Sequence, residues 1–127
     1  MTFAFNSERG LIVVPVELLG PSGSMVLRLA LDTGATATMI NVSLLATAGY
    51  DPALAPERVT VTTGSGVEYV PRLTVVRLNA LGETRADFPV LAHTLPPSAT
   101  IDGLLSLDFF RGHLLTIDFR EGRIIHS

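Results

Sequence analysis

One short run stands apart among the residues that could do chemistry. Asp32-Thr33-Gly34 follows directly on the apolar stretch Leu27-Arg28-Leu29-Ala30-Leu31, with Ala35-Thr36 behind it. A carboxylate held in a glycine-containing loop at a strand end can act as a general base. The plain alternative for Asp32 is a turn aspartate, since Asp and Gly are common there anyway. Such a triplet arises by chance in roughly two or three per cent of chains this long. The order of features around it is far more specific. A glycine-tipped segment, Thr63-Gly64-Ser65-Gly66, comes about thirty residues later, and Ile101-Asp102-Gly103-Leu104-Leu105 opens a short apolar segment near the end.

Other chemistries find little support. There is no cysteine, which excludes disulfides, thiolate metal sites and thiol nucleophiles. His93, His113 and His126 are scattered without metal-ligand spacing, and no HExxH, GxSxG or P-loop pattern occurs. All three read as structural or surface histidines. Asp102 reads as a helix cap, and Asp108 and Asp118 as solvated or turn residues without a role. Asn41-Val42-Ser43 has the form of a glycosylation sequon, but a helix cap explains Asn41 more simply.

The elements that must position Asp32 are mostly strands. Leu11 to Leu19 is rich in β-branched residues, Gly20-Pro21-Ser22-Gly23 is a turn, and Met25 to Leu31 returns as a hairpin partner. Pro15 predicts an edge position or a bulge, because proline cannot donate to a ladder. Asn41 and Gly49 bracket a short helix over Val42 to Ala48, and Tyr50 to Pro56 is a loop. Arg58 to Thr63 and Val67 to Val70 form a second hairpin, with Gly64-Ser65-Gly66 as its flexible tip. Arg72 to Asn79 and Thr84 to Ala92 form a third, and Thr94 to Ser98 is a loop. Gly103 to Phe110 has apolar residues at helical spacing, with Asp102 as its cap. Leu114 to Phe119 and Arg123 to Ile125 close the chain as strands. An approximate repeat of hairpin, strand, glycine loop and helix covers 11–48 and 72–110. It aligns Leu31-Asp32-Thr33-Gly34 with Thr100-Ile101-Asp102-Gly103.

Composition narrows the class. The chain has 127 residues, 47% of them apolar and only 17% charged, which suits one folded domain spanning 1–127. A net charge of −3 argues against a nucleic-acid or anionic-membrane partner. The first residues lack the basic start and apolar stretch of a signal peptide. No apolar run approaches the roughly 18 residues of a membrane span. With cysteine absent, these features favour a cytoplasmic location.

The segments Leu29-Ala30-Leu31-Asp32-Thr33-Gly34-Ala35-Thr36, VTTGSGV at 61–67 and IDGLLSLDFF at 101–110 together resemble the retropepsin-like aspartic peptidases, including their single-domain bacterial members. The likeness runs from Leu11 to about Phe119. It implies an all-β, closed barrel-like fold with one or two short helices, and an active site on a two-fold axis between two chains. The catalytic residues implied are Asp32, Thr33 and Gly34. The implied substrate-binding residues are Ala35, Thr36, Thr63, Gly64, Ser65, Gly66 and Ile101. Thr33 would reach across the axis, and Gly34 would bring its N–H to the carboxylate. Gly64-Ser65-Gly66 would be the tip of a flap over an extended peptide, and Ile101 and Gly103 would pack beneath the Asp32 loop. Ala35 stands where pepsin-like enzymes usually carry a hydroxyl, so the pH–rate bell is expected to sit higher than theirs. Retroviral members pair an acidic residue two positions after the triplet glycine with an arginine after a second-half glycine. Thr36 and Leu104 hold those places here, so that salt bridge is missing.

The expectation is a homodimeric aspartic endopeptidase acting on extended, mainly apolar peptides, with no cofactor or metal implied. The rival from another class is a non-catalytic dimerisation or peptide-binding module of the same fold. A weaker rival is a small β-barrel ligand binder with an accidental triplet.

Overall fold

The structure, a computed structural model, describes every residue but Pro97, and Thr63 by its backbone alone. Among the described residues, ten strands and two short α-helices form in the order β1 Thr2–Ala4, β2 Val13–Gly20, β3 Gly23–Asp32, β4 Met39–Asn41, α1 Val42–Thr47, β5 Glu57–Thr63, β6 Gly66–Ala80, β7 Glu83–His93, β8 Gly103–Ser106, α2 Leu107–Phe110, β9 Leu115–Asp118 and β10 Arg123–His126. A single 3-10 turn at Pro52–Leu54 precedes β5.

Alternation along the strands dictates the barrel. In β2, Val14, Val16 and Leu18 are buried while Pro15 and Glu17 are exposed; in β3, Leu27 and Leu29 face inward and Val26 and Arg28 outward. Each fully buried Val or Leu is worth about 1.5–3 kcal/mol. Strands run in the order β2-β3-β8-β4-β7-β6, and pairing of Glu17–Leu19 with Arg77–Asn79 closes the ring into a six-stranded barrel. Pro15 lies where β2 pairs with β3 only, the edge position its missing N–H requires. The Tyr50 hydroxyl ties the closing seam, donating to Leu19 O at 2.7 Å and accepting the Val76 N–H at 2.8 Å.

The hairpin turns fall where Gly and Pro place them. Leu81 and Gly82 carry φ of 51° and 76°, the two positive values of a tight two-residue turn between β6 and β7. Asn41 caps α1, its side chain accepting the Ser43 N–H, and Gly49 follows with φ of 100°.

The secondary-structure expectations need correction at β6, β8 and Asp102. The two strands expected on either side of Pro71 are one fifteen-residue strand, β6, which hands its pairing from β5 to β7 at Arg72. Gly103–Ser106 is a strand rather than helix, because it is inserted between β3 and β4 and its backbone groups join their ladders. Only Leu107–Phe110 is helical. Asp102 therefore caps no helix; its carboxylate accepts the Arg28 N–H at 2.7 Å.

The repeat is real at the level of elements, but its register differs. β2-β3-β4-α1 matches β6-β7-β8-α2, with β3–β8 and β4–β7 parallel around an antiparallel β4–β8 pair. β8 thus corresponds to β4, and Asp102-Gly103 to the start of that strand rather than to the Asp32 loop. β1, to which the sequence analysis assigned no element, pairs with β10, and β9 completes a separate three-stranded sheet. No helix among the described residues is long and apolar enough to cross a membrane.

Candidate active site

Asp32 is the last residue of β3, where the strand leaves the barrel wall. Its side chain is half-buried, and the Gly34 N–H donates to Oδ1 at 2.8 Å. A Cβ on Gly34 would lie 3.2 Å from that oxygen, so glycine is what allows the backbone this close. Thr33, Gly34 and Thr36 are exposed and Ala35 is half-buried.

The loop after the triplet is anchored from the far half of the chain. The Leu107 N–H donates to Ala35 O at 3.1 Å. Thr38, fully buried, donates its N–H at 3.0 Å and its hydroxyl at 2.7 Å to the two carboxylate oxygens of Asp108. The same hydroxyl accepts the Ser106 N–H at 3.2 Å. Asp108 thus has a role that its place in the sequence did not suggest. Asp118 is the turn residue it was read to be, accepting from the Arg120 and Glu121 N–H groups.

Beside the loop opens a cleft of about 710 Å³. Its floor is Gly34 to Ala37 with Met39, one wall is β7 from Phe88 to Leu91, and the roof is Val59 to Thr62 of β5. The hairpin β5–β6 therefore covers the loop as a flap. Its tip residues Gly64, Ser65 and Gly66 are exposed, and the shank of β5 rather than the tip lines the cleft. The side chain of Thr63 lies outside the described residues.

Gly34, Ala35 and Thr36 are brought together here, and Ile101 is not. Asp32 pairs with Ser106, while Gly103 pairs with Leu29 and Ile40 at the other end of β8. Ile101 lies two residues beyond that far end, and Gly103 packs under β4, where a Cβ would meet Met39 O at 2.0 Å. Ser106, not Gly103, is the small residue beside the triplet. The residue after it is Leu107, so the corrected register still offers no arginine for a retroviral-type salt bridge. Sequence reasoning missed Thr38, Ser106 and Asp108. The one available signal was a lone acidic residue, Asp108, inside an apolar run.

The histidines have structural surroundings. His126 is buried against the rings of Phe109, Phe110 and His113, with Nδ1 3.0 Å from Leu81 O. His93 meets Glu68. Among the described residues no cluster of His, Asp or Glu could hold a metal ion.

Residues 14–109 match the family model described as Aspartyl protease. The fold is similar to that of a retropepsin-like aspartic protease from Rickettsia conorii, with a TM-score of 0.74 and 16% identity over 99% of this chain and 88% of that one. It is also similar to the retroviral protease-like domain of Ddi1 from Leishmania major, with a TM-score of 0.60 and 19% identity over 93% of this chain and 89% of that one. Comparison with curated protein sequences gives no match.

Proposed function

The chain belongs to the aspartyl protease family, and we propose that it is an endopeptidase whose two catalytic carboxylates are Asp32 from each of two identical chains. The observation that carries this reading is the Asp32 carboxylate itself, oriented by the Gly34 N–H at 2.8 Å beside a flap-covered cleft. The chain has one Asp-Thr-Gly triplet, and the chemistry needs two carboxyl groups. Held about 3 Å apart, the two carboxyl groups cannot both ionise, so they share one proton, as is general for aspartic proteases. The ionised partner takes a proton from a water between them as that water attacks the scissile carbonyl. The protonated partner donates a hydrogen bond to the carbonyl oxygen. Proton transfer to the amine nitrogen then releases the two peptide fragments.

The cleft suits an extended peptide. Among the described residues β5 pairs only with β6, which leaves its outer edge open to add a substrate strand beneath the flap. Thr33 is exposed beside Asp32, and in this reading a second chain covers it.

The test is cleavage of a mixed peptide library by the wild type and Asp32→Asn. Asn keeps the shape and loses the base, so turnover should fall at least about a thousandfold with sedimentation unchanged. Specific activity of the wild type should also fall on dilution as dimers separate. Undiminished cleavage by Asp32→Asn, or constant specific activity in a strictly monomeric protein, would overturn the proposal. A peptide-binding module of this fold would bind the same peptides and release them uncut.

A further inference from the structure

Among the described residues, two charged groups line the cleft, Arg72 and Asp108. They are not equivalent. Arg72 Nε lies 3.4 Å from a Glu57 carboxylate oxygen, and both side chains are about half exposed, at 44% and 57%. Its charge is offset at a wet rim, where such a pair is worth little. Among the described residues, no cation forms an ion pair with the Asp108 carboxylate. It is half-buried and held in one orientation by the N–H and hydroxyl of Thr38. Those two bonds leave each oxygen a further acceptor site. The same cleft is lined by apolar side chains as well, Met39, Val61, Phe88 and Leu91 among them.

We infer that Asp108 is a specificity-determining residue that selects a lysine or arginine side chain of the substrate at the subsite this cleft forms. The inference rests on the peptidase reading for its substrate class. Lys and Arg match both features of the cleft, an apolar stem for the walls and a cationic tip for the carboxylate. A partly desolvated, oriented carboxylate distinguishes charge more sharply than an exposed one, because less water screens it. An acidic side chain would meet Asp108 as a like charge, and an aliphatic one would leave it without a partner.

The experiment uses peptides identical except at one position at a time, carrying lysine, norleucine, N-acetyl-lysine or glutamate. Cleavage is compared as kcat/KM in the wild type and Asp108→Asn. Binding of the same peptides to Asp32→Asn, with and without Asp108→Asn, is measured by calorimetry, which requires no turnover. In the variant, Oδ1 can keep the Thr38 N–H and Nδ2 can donate to Thr38 Oγ1, so the anchor survives while the charge is lost. At one position lysine should exceed norleucine by about tenfold or more, the size expected of a charge-assisted hydrogen bond. That ratio should fall to near one in Asp108→Asn. Acetyl-lysine, which keeps the stem without the charge, asks the same of the unsubstituted protein and should behave like norleucine. A lysine preference in binding without any cleavage would sustain Asp108's role and sink the peptidase reading instead. No lysine preference at any position, a preference that survives Asp108→Asn or acetylation, a preference for glutamate, or no peptide binding at all would overturn the inference.

Discussion

Glu68 Oε2 lies 3.0 Å from His93 Nε2, joining the flap two residues past its tip glycine to the end of β7. Sequence reasoning placed Glu68 in a strand, left His93 just past the end of one, and did not pair them. The contact links two elements of the cleft, β7, which forms a wall, and the β5–β6 hairpin, which forms the roof. The pair is a fastener between the flap hairpin and the end of β7 in the barrel wall.

Removing that fastener should loosen the flap without unfolding the barrel. The Glu68 side chain is half exposed, so the pair is worth at most about 1 kcal/mol. Glu68→Ala should therefore speed hydrogen exchange of the β5 and β6 amides near the tip by up to about fivefold. The distant Asp118–Arg123 pair supplies the control: Arg123→Ala should leave flap exchange unchanged. Equal exchange in Glu68→Ala and wild type would show that the pair does not hold the flap.

Thr38 supports the loop after the triplet from beneath, and its hydroxyl both donates to Asp108 and accepts from the Ser106 N–H. Thr38→Val keeps the volume and removes both bonds, stranding a buried N–H and weakening the hold on a carboxylate. Urea unfolding should show a loss of about 2–3 kcal/mol. A change below about 0.5 kcal/mol would mean that water or relaxation replaces these bonds.

Two glycines should respond in opposite ways to alanine. At Gly103 the added Cβ would fall 2.0 Å from Met39 O, backbone in the barrel wall that cannot move aside. Gly103→Ala should cost at least about 2 kcal/mol or prevent folding. At Gly64 nothing lies within 4 Å and φ is not positive, so Gly64→Ala should change stability by less than about 0.5 kcal/mol. Thermal unfolding of the pair decides the matter, and similar losses in both would remove close packing as the reason for Gly103.

Much of the framework was legible in the chain because it is written locally. β-branched richness named β2, the apolar run after the turn named β3, Gly and Pro marked that turn, Asn41 and Gly49 bracketed α1, and the apolar run ahead of Asp32 put that carboxylate at a strand end. Local patterns failed where a segment's partners are distant in sequence. Leu104, Leu105, Leu107, Phe109 and Phe110 fit a helical period, yet Gly103–Ser106 is a strand because β3 and β4 offer it backbone partners more than sixty residues away. The same insertion sets Ser106 rather than Gly103 beside Asp32. It also gives the Asp102 carboxylate to the Arg28 N–H and brings Asp108 to Thr38 across seventy residues. Alternation and turn chemistry act between near neighbours and leave their mark on a short window of sequence. Register between strands distant along the chain depends on which backbone groups remain unpaired once the barrel closes, and no short window contains that information.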